Sequence, residues 1–542
     1  MNKILFLIFS FILSQGLNTN VDYYDRLSQE TEGIDQGKIS NNLFIWPLSD
    51  YSKSNYYDFF NRQNDNFNIH PVAAFRYSSV GFEMNQDIPY PVFWISPGFE
   101  MRFNKILISN SLNPVWMNGW IKFYKHSAYG IDEDLYMGNS NSVDANPIGL
   151  YSPDISYGYY TKVKFPEGNG IDFDESIGGF SILGNNFDLT FGKMRTSLGP
   201  SVYSNLSLSN NMPAFNQFRF HYNYKNKVYF TFISGDLFSN IKDSTSLIYQ
   251  SDDIDNDGEL DYSKMPFLPR KLYNHRLDFI LFPNLRLGIY EQLIGMPNGS
   301  SLAFLNPFSF YWSEQHQSGD LDNLQMGFDF DWIIGKNRLY GGLLIDEWAP
   351  YDTFNSDSHN WFATQIGFSR LFNLKFGSKH ISGNKWKKYL KALLKFEYSS
   401  AEPQMYVHKF EINNASHHDY PIGLWSGGNS IDRRLNLILF IEGLASDGEQ
   451  ETAHNPLIID IGWHNTRMGD AAYDENVSLL SNDTIRIRDV LFFEIKKDIM
   501  NFKKHDTNID FLFKVSYYDT QNLYSTDNFL DVRTTLIYNI RN

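Results

Sequence analysis

The chain has 542 residues, 46 basic and 62 acidic for a formal charge of −16, no cysteine, and aromatic residues at 17%. The acidic balance, with no long basic run, argues against a nucleic-acid partner; the missing cysteine removes disulfides, thiol catalysis, thiolate metal sites and a lipid-modified N-terminal cysteine. Abundant aromatics with a mean hydropathy below zero are what alternation of apolar and polar side chains produces.

At the start, MNKILFLIFSFILSQG places Lys3 before an apolar run over residues 4–13, followed by Ser14, Gln15 and Gly16. This is the pattern of a secretory signal over residues 1–16, and its run is shorter than the roughly 20 residues a membrane helix needs. No later stretch comes close to that length. Residues 17–74 alternate poorly and are read as an N-terminal periplasmic segment or plug, which leaves 75–542 for the main architecture.

From there period-two alternation dominates, sending successive side chains to opposite faces of a sheet. Phe187, Leu189 and Phe191 alternate with Asp188 and Thr190. The following FGKMRTSLGPSVYSNLSL, residues 191–208, is rich in Gly, Ser and Lys, yet it lacks the GxxxxGKS/T order of a phosphate loop and the GxSxG elbow of a nucleophile. It reads as a strand end, a bend at Gly199 and Pro200 and a second short element, with Lys193 and Arg195 at the rim or lumen. Next, Phe218, Phe220, Tyr222 and Tyr224 oppose Gln217, Arg219, His221 and Asn223.

DDIDNDGELD, residues 252–261, sets Asp253, Asp255, Asp257, Glu259 and Asp261 around Gly258 at the spacing of a calcium loop. Lys264 stands where an EF-hand places its bidentate Glu, so the expectation is an isolated loop holding a structural calcium ion, with no cofactor required. Glu291, the pair Asp329 and Asp331, and Asp346 with Glu347 invite a two-carboxylate glycosidase reading; Asp329 and Asp331 are more simply lumen-facing charges between Phe328, Phe330 and Trp332. His417, His418 and Asp419 are adjacent, and no further ligand falls at a spacing that completes a metal set. Leu435 to Ile441, Phe511 to Tyr517 and Val532 to Ile540 alternate in the same way.

The fold class predicted is all-β: a large transmembrane antiparallel β-barrel of roughly 16 to 20 strands, with short periplasmic turns and long extracellular loops. Short turns are expected at Asn185 and Asn186, at 225–227, at Pro283 and Asn284, and at 335–337. The polar stretches 125–160, 239–270, 377–388 and 412–431 are expected as loops on the opposite rim.

Several ordered stretches resemble the Wzi capsule-assembly family of outer-membrane proteins. They are FGKMRTSLGPSVYSNLSLSNNMPAFNQFRF (191–220), NHRLDFILFPNLRLGIYEQLIG (274–295), LNPFSFYWSEQ (305–315), DNLQMGFDFDW (322–332) and RLYGGLLIDEWAP (338–350), with YPIGLWSGGNSIDRRLNL (420–437) as a weaker match. The resemblance implies a monomeric barrel of about 18 strands in the cell outer membrane, surrounded by its lipid, that holds surface polysaccharide and is not an enzyme. A carbohydrate site needs aromatic faces and fixed polar groups; Trp312, Trp348, Arg195, Asp346 and Glu347 are the candidates. Competing readings are an adhesion or gliding-motility component without a glycan role, a diffusion porin, and an outer-membrane hydrolase. Bulky Tyr290, Phe440 and Phe492 on otherwise polar faces favour a partly filled lumen over an open pore.

Overall fold

A computed structural model describes residues 19–39, 45–46, 66–79, 92–109, 113–129, 170–243, 267–296, 302–319, 321–349, 351, 360–381, 384–418, 420–447, 450–453, 456–473, 477–481, 485–502, 507–521 and 526–540. The expected signal segment and the acidic loop with Asp253, Asp255, Asp257, Glu259 and Asp261 lie outside these residues.

The alternating stretches form the wall. In chain order its strands are β1 Asn66–Ser78, β2 Val92–Ile108, β3 Val115–Tyr129, β4 Gly170–Leu183, β5 Phe187–Met194 and β6 Phe215–Tyr224. They continue with β7 Val228–Lys242, β8 Phe267–Phe282, β9 Leu285–Gly295, β10 Asn323–Ile334, β11 Asn337–Asp346 and β12 Trp361–Ile381. The last six are β13 Asn384–Ala401, β14 Ser430–Asp447, β15 Leu457–Met468, β16 Arg486–Phe502, β17 Thr507–Gln521 and β18 Thr526–Ile540.

Each strand pairs antiparallel with its neighbours, and the ring is a closed barrel of 18 strands. Closure is made by six residue pairs, from Ala73 opposite Tyr538 to Ser78 opposite Arg533. No wall edge is then left without a partner, which is what a barrel achieves and an open sheet does not. β1 starts ahead of residue 75, where Pro71 and the adjacent Ala73 and Ala74 blur the alternation.

The two faces of the wall are inverted relative to a soluble fold. Phe218, Tyr222, Ile289, Phe328, Trp332, Leu435 and Tyr517 are exposed on the outside, whereas Gln217, Arg219, Asp329, Asp331, Asn436 and Ser516 are buried inside. Inside, Arg276 binds Asp278 at 2.6 Å and Asp329 at 2.5 Å, while Arg286 reaches Asp278 at 2.9 Å and Arg338 reaches Asp331 at 2.9 Å. Gly288 is needed here, because a Cβ at that position would collide with the Arg276 guanidinium.

Short turns gather at one rim, at 184–186, 225–227, 283–284 and 335–336. The stretch 377–388 corrects the expected loop pattern: it is the hairpin between β12 and β13 and belongs to this same rim. Those strands, 21 and 18 residues long, outrun the 9 to 11 residues that cross a bilayer. Connections at the opposite rim are long: 195–214, 243–266, 296–322, 347–360 and 402–429.

Among the described residues three α-helices accompany the wall: α1 Thr19–Gln36, α2 Leu302–Leu305 and α3 Tyr311–Ser318. No described helix is long and apolar enough to cross a membrane.

Candidate functional site

After β5 the chain turns into the barrel. Gly199 has φ +132, a conformation that favours glycine, and Pro200 ends strand pairing. Burial of the next turns is possible because their own Ser and Asn side chains satisfy the backbone. Asn205 accepts from the Ser201 amide at 2.9 Å, and Ser209 accepts from the Asn205 amide at 2.6 Å. Ser201 Oγ accepts from the Tyr203 and Ser204 amides at 3.1 and 3.3 Å.

The segment then docks on distant parts of the wall. Ser207 donates to Gln292 of β9 at 2.8 Å, Arg338 of β11 donates to the Pro200 carbonyl at 2.6 Å, and Gln365 of β12 donates to the Ser204 carbonyl at 2.7 Å. Ser201 reaches Glu397 of β13 at 2.6 Å. In an 18-strand ring, β5 and β13 stand nearly opposite, so residues 195–214 cross the lumen. The loop after β13 folds in over them: Tyr406 donates to the Leu206 carbonyl at 2.8 Å, and the Trp425 amide donates to Ser204 Oγ at 3.0 Å. Leu198, Leu206, Leu208, Met212, Leu344, Ile422 and Leu424 form the apolar centre of this partition.

α1 supports the partition from the short-turn side. Arg26 donates to the carbonyls of Ser201 and Val202. Tyr24, Leu27 and Ile34 pack on inward-facing Leu371, Leu393, Ile438 and Phe440, which explains apolar residues on otherwise polar faces. Glu30 is fully buried between Arg338 at 2.8 Å and Lys395 at 3.0 Å and accepts from Ser369 at 2.7 Å. Burial alone would raise its carboxyl, but the two cations and their hydrogen bonds bring it down to about 2. At the rim Asp35 pairs with Lys336 at 2.6 Å, beside the turn between β10 and β11.

The candidate sugar-contact residues divide into three groups. Trp312 of α3 and Trp348, just after β11, come together with ring centroids 6.4 Å apart, and the Trp312 indole donates to the Trp348 carbonyl at 3.4 Å. Both are half-buried. Glu347 adopts a φ of 53 and reaches His408 at 3.3 Å. The His408 ring neighbours Phe410 and Tyr473, and Tyr473 meets Trp361 edge-on at 5.1 Å. Burial raises the Asp322 carboxyl to about 6, with His408 acting in the opposite direction. Aromatic faces, carboxylates and a histidine are thus gathered at the long-loop rim above β10 to β12.

Asp346 is not part of that surface. It is 1% exposed and accepts from Gln325 at 2.8 Å. Arg195 is half-buried at the exit of β5, six strands away around the ring. The sequence reading missed His408, Tyr473 and Trp361; none carries a motif, and only folding brings the three loops together.

Other carboxylates and histidines have structural partners. Asp329 and Asp331 are the buried ion-pair members described above, and Glu291 bonds His275 at 2.7 Å on the outer wall. His417 accepts from the Phe238 amide at 2.9 Å and stands beside His418. Burial pushes both imidazoles down, to about 3 and about 2. No group of three His, Asp or Glu residues able to hold a metal ion occurs among the described residues.

No family model matches the chain, and no curated protein matches it significantly. Among solved structures it is similar to Wzi of Escherichia coli, described as a carbohydrate-binding outer-membrane β-barrel involved in group 1 capsule assembly, at 13% identity and TM-score 0.49 over 95% of this chain and 98% of that one. It is also similar to OccAB1 of Acinetobacter baumannii, at 10% identity and TM-score 0.42 over 87% and 95%. The outer-membrane protein OpdK of Pseudomonas aeruginosa matches at 10% identity and TM-score 0.40 over 87% and 98%.

Proposed function

We propose that this chain is an outer-membrane barrel that holds surface polysaccharide at the cell exterior and supports capsule or exopolysaccharide attachment, without catalysing a reaction. The observation that carries this reading is the buried segment 195–214 crossing the lumen above α1. A wall-to-wall partition leaves a rim, not a pore, as the working surface, and this weighs against a diffusion porin.

The apolar exterior and charged interior support placement in a bilayer, with the short turns periplasmic and the long loops extracellular. A ring closed on itself needs no second copy to cover an edge, which supports a monomer. At the extracellular rim, half-buried Trp312, Trp348, Tyr473 and Glu347 supply the aromatic faces and a fixed polar group that sugars require, with His408 and Asp322 buried behind them.

The test is cell-associated polymer measured by glycan staining with and without the gene. Release of polymer into the medium with synthesis continuing is expected. Unchanged cell-associated polymer would remove the reading, and a motility defect with normal retention would replace it with the adhesion or gliding role.

A further inference from the structure

Strands β8, β9 and β10 break the outward pattern in their upper halves. Lower down, Ile289 and Phe328 lie open on the outer face. On the same face higher up, Tyr273 is 2%, Leu293 1% and Leu324 3% exposed, although the pairing of Tyr273 with Leu293 and of Leu293 with Leu324 keeps all three pointing out of the barrel. What covers them is residues 302–319, which lie against the outside of the wall.

The seat of this flap is built. Phe304 and Tyr311 are fully buried against Tyr273, Leu293 and Leu324. His275 and Glu291 also point outward; they bond each other at 2.7 Å, and Glu291 accepts from the Tyr311 amide at 3.0 Å. The Tyr311 ring stacks on His275 with centroids 4.2 Å apart, and its hydroxyl donates to the Phe304 carbonyl at 3.2 Å. An outward-facing His–Glu pair on a lipid-facing wall is costly unless covered and hydrogen-bonded, and the flap does both.

The flap's free side is apolar. Leu302 is 84%, Phe308 81% and Phe310 51% exposed. Phe308 stacks on outward-facing Phe230 of β7 at 5.5 Å, so this surface continues the apolar face of the wall without a break. His275 stands about 20 Å above the turn between β8 and β9 for a strand rising ~3.3 Å per residue at a tilt of ~40°, still within an apolar band about 25 Å tall. Beyond Trp312, α3 turns to Glu314, His316 and Gln317, the polar side of an interfacial helix.

The geometry points to residues 302–319 as an outer-leaflet element whose apolar face lies among the acyl chains of the lipid surrounding the barrel, with α3 at headgroup level. This rests on the membrane reading above. It assigns Phe308 to lipid and leaves Trp348, Tyr473 and Glu347 as the part of the rim turned to the cell exterior.

The chain has no cysteine, so single labelling sites can be introduced cleanly. Phe308→Cys, Phe328→Cys and Tyr351→Cys variants, each carrying an environment-sensitive fluorophore, are placed in phosphatidylcholine vesicles with nitroxide-bearing acyl chains and challenged separately with aqueous iodide. The label at 308 should lose the same fraction of fluorescence to the nitroxide as the label at 328, and resist iodide like it. The label at 351 should show the reverse. Iodide quenching at 308 with nitroxide quenching kept at 328 overturns the flap assignment alone; loss of nitroxide quenching at 328 overturns the membrane reading itself. Shielding at 308 from both quenchers, disappearing on dilution of protein in lipid, would show a second copy on this face and also overturn the assignment. Leu302→Cys provides a second labelling position should Phe308→Cys fail to assemble.

Discussion

Ser201 Oγ donates to Glu397 Oε2 at 2.6 Å, joining residues 196 apart in sequence from nearly opposite sides of the ring. Tyr340 donates to the same carboxylate oxygen, so the contact belongs to a wall network and not to a stray loop. The purified barrel is therefore expected to give little conductance in planar bilayers. Replacing residues 197–210 by a short Gly-Ser linker should raise the step size. Equal conductance of the two proteins would show that the partition is not the barrier.

Glu30 is the electrostatic tie between α1 and the wall. Its carboxyl lies at about 2 against an ordinary 4.5, so folding is favoured by ionisation. That contribution, about 3 kcal/mol, is complete above pH 4.5 and fades as pH falls towards 2. Glu30→Gln leaves Arg338 and Lys395 without this counter-charge and should cost about 3–5 kcal/mol near neutrality. Melting in detergent as a function of pH checks both statements: the curves of the parent and the variant should converge on acidification.

Arg276 holds two carboxylates, Asp278 and Asp329, at full burial. Arg276→Met should destabilise the barrel by about 3–5 kcal/mol, because Asp329 loses its ion-pair partner where water does not reach it, while Asp278 keeps Arg286. Gly288→Val should lower the melting temperature too, by pressing its side chain on the same guanidinium. Heat-modifiability on gels and thermal melts would read out both, and a neutral result for Arg276→Met would mean that water or a counter-ion enters the site.

At the rim, Trp348→Ala should weaken polymer retention by about 0.5–1.5 kcal/mol, an aromatic contribution beyond its area, with the barrel intact by heat-modifiability. Asp346→Asn should leave retention unchanged, since Asp346 is buried against Gln325. A glycan blot with the purified variants distinguishes them; the opposite ranking would move the site into the wall.

The wall was legible because period-two alternation is a local consequence of the pleat: Phe218 and Tyr222 outward, Arg219 and His221 inward. The lumen partition was not, because Ser and Asn between 197 and 209 suit a solvated loop as well as a buried one that satisfies its own backbone. The direction in which such a segment leaves the rim depends on partners such as Glu397 and Gln365, far away in sequence. The same blindness hid the flap, where Glu291 suggested a glycosidase carboxylate and is instead bonded to His275 and the Tyr311 amide. The hairpin at 377–388 was misplaced because GSKHISGNKWKK, rich in Gly, Ser, Asn and Lys, has the composition of a long solvated loop.

The six-pair seam between β1 and β18 joins the first strand of the wall to the last. β17 and β18 pair along fifteen residues. α1 lies just ahead of β1 in the chain and inside the finished ring, bonded to Arg338, Lys395 and Asp460. Helix and partition are thus enclosed by the wall they brace, and the seam cannot open without exposing both.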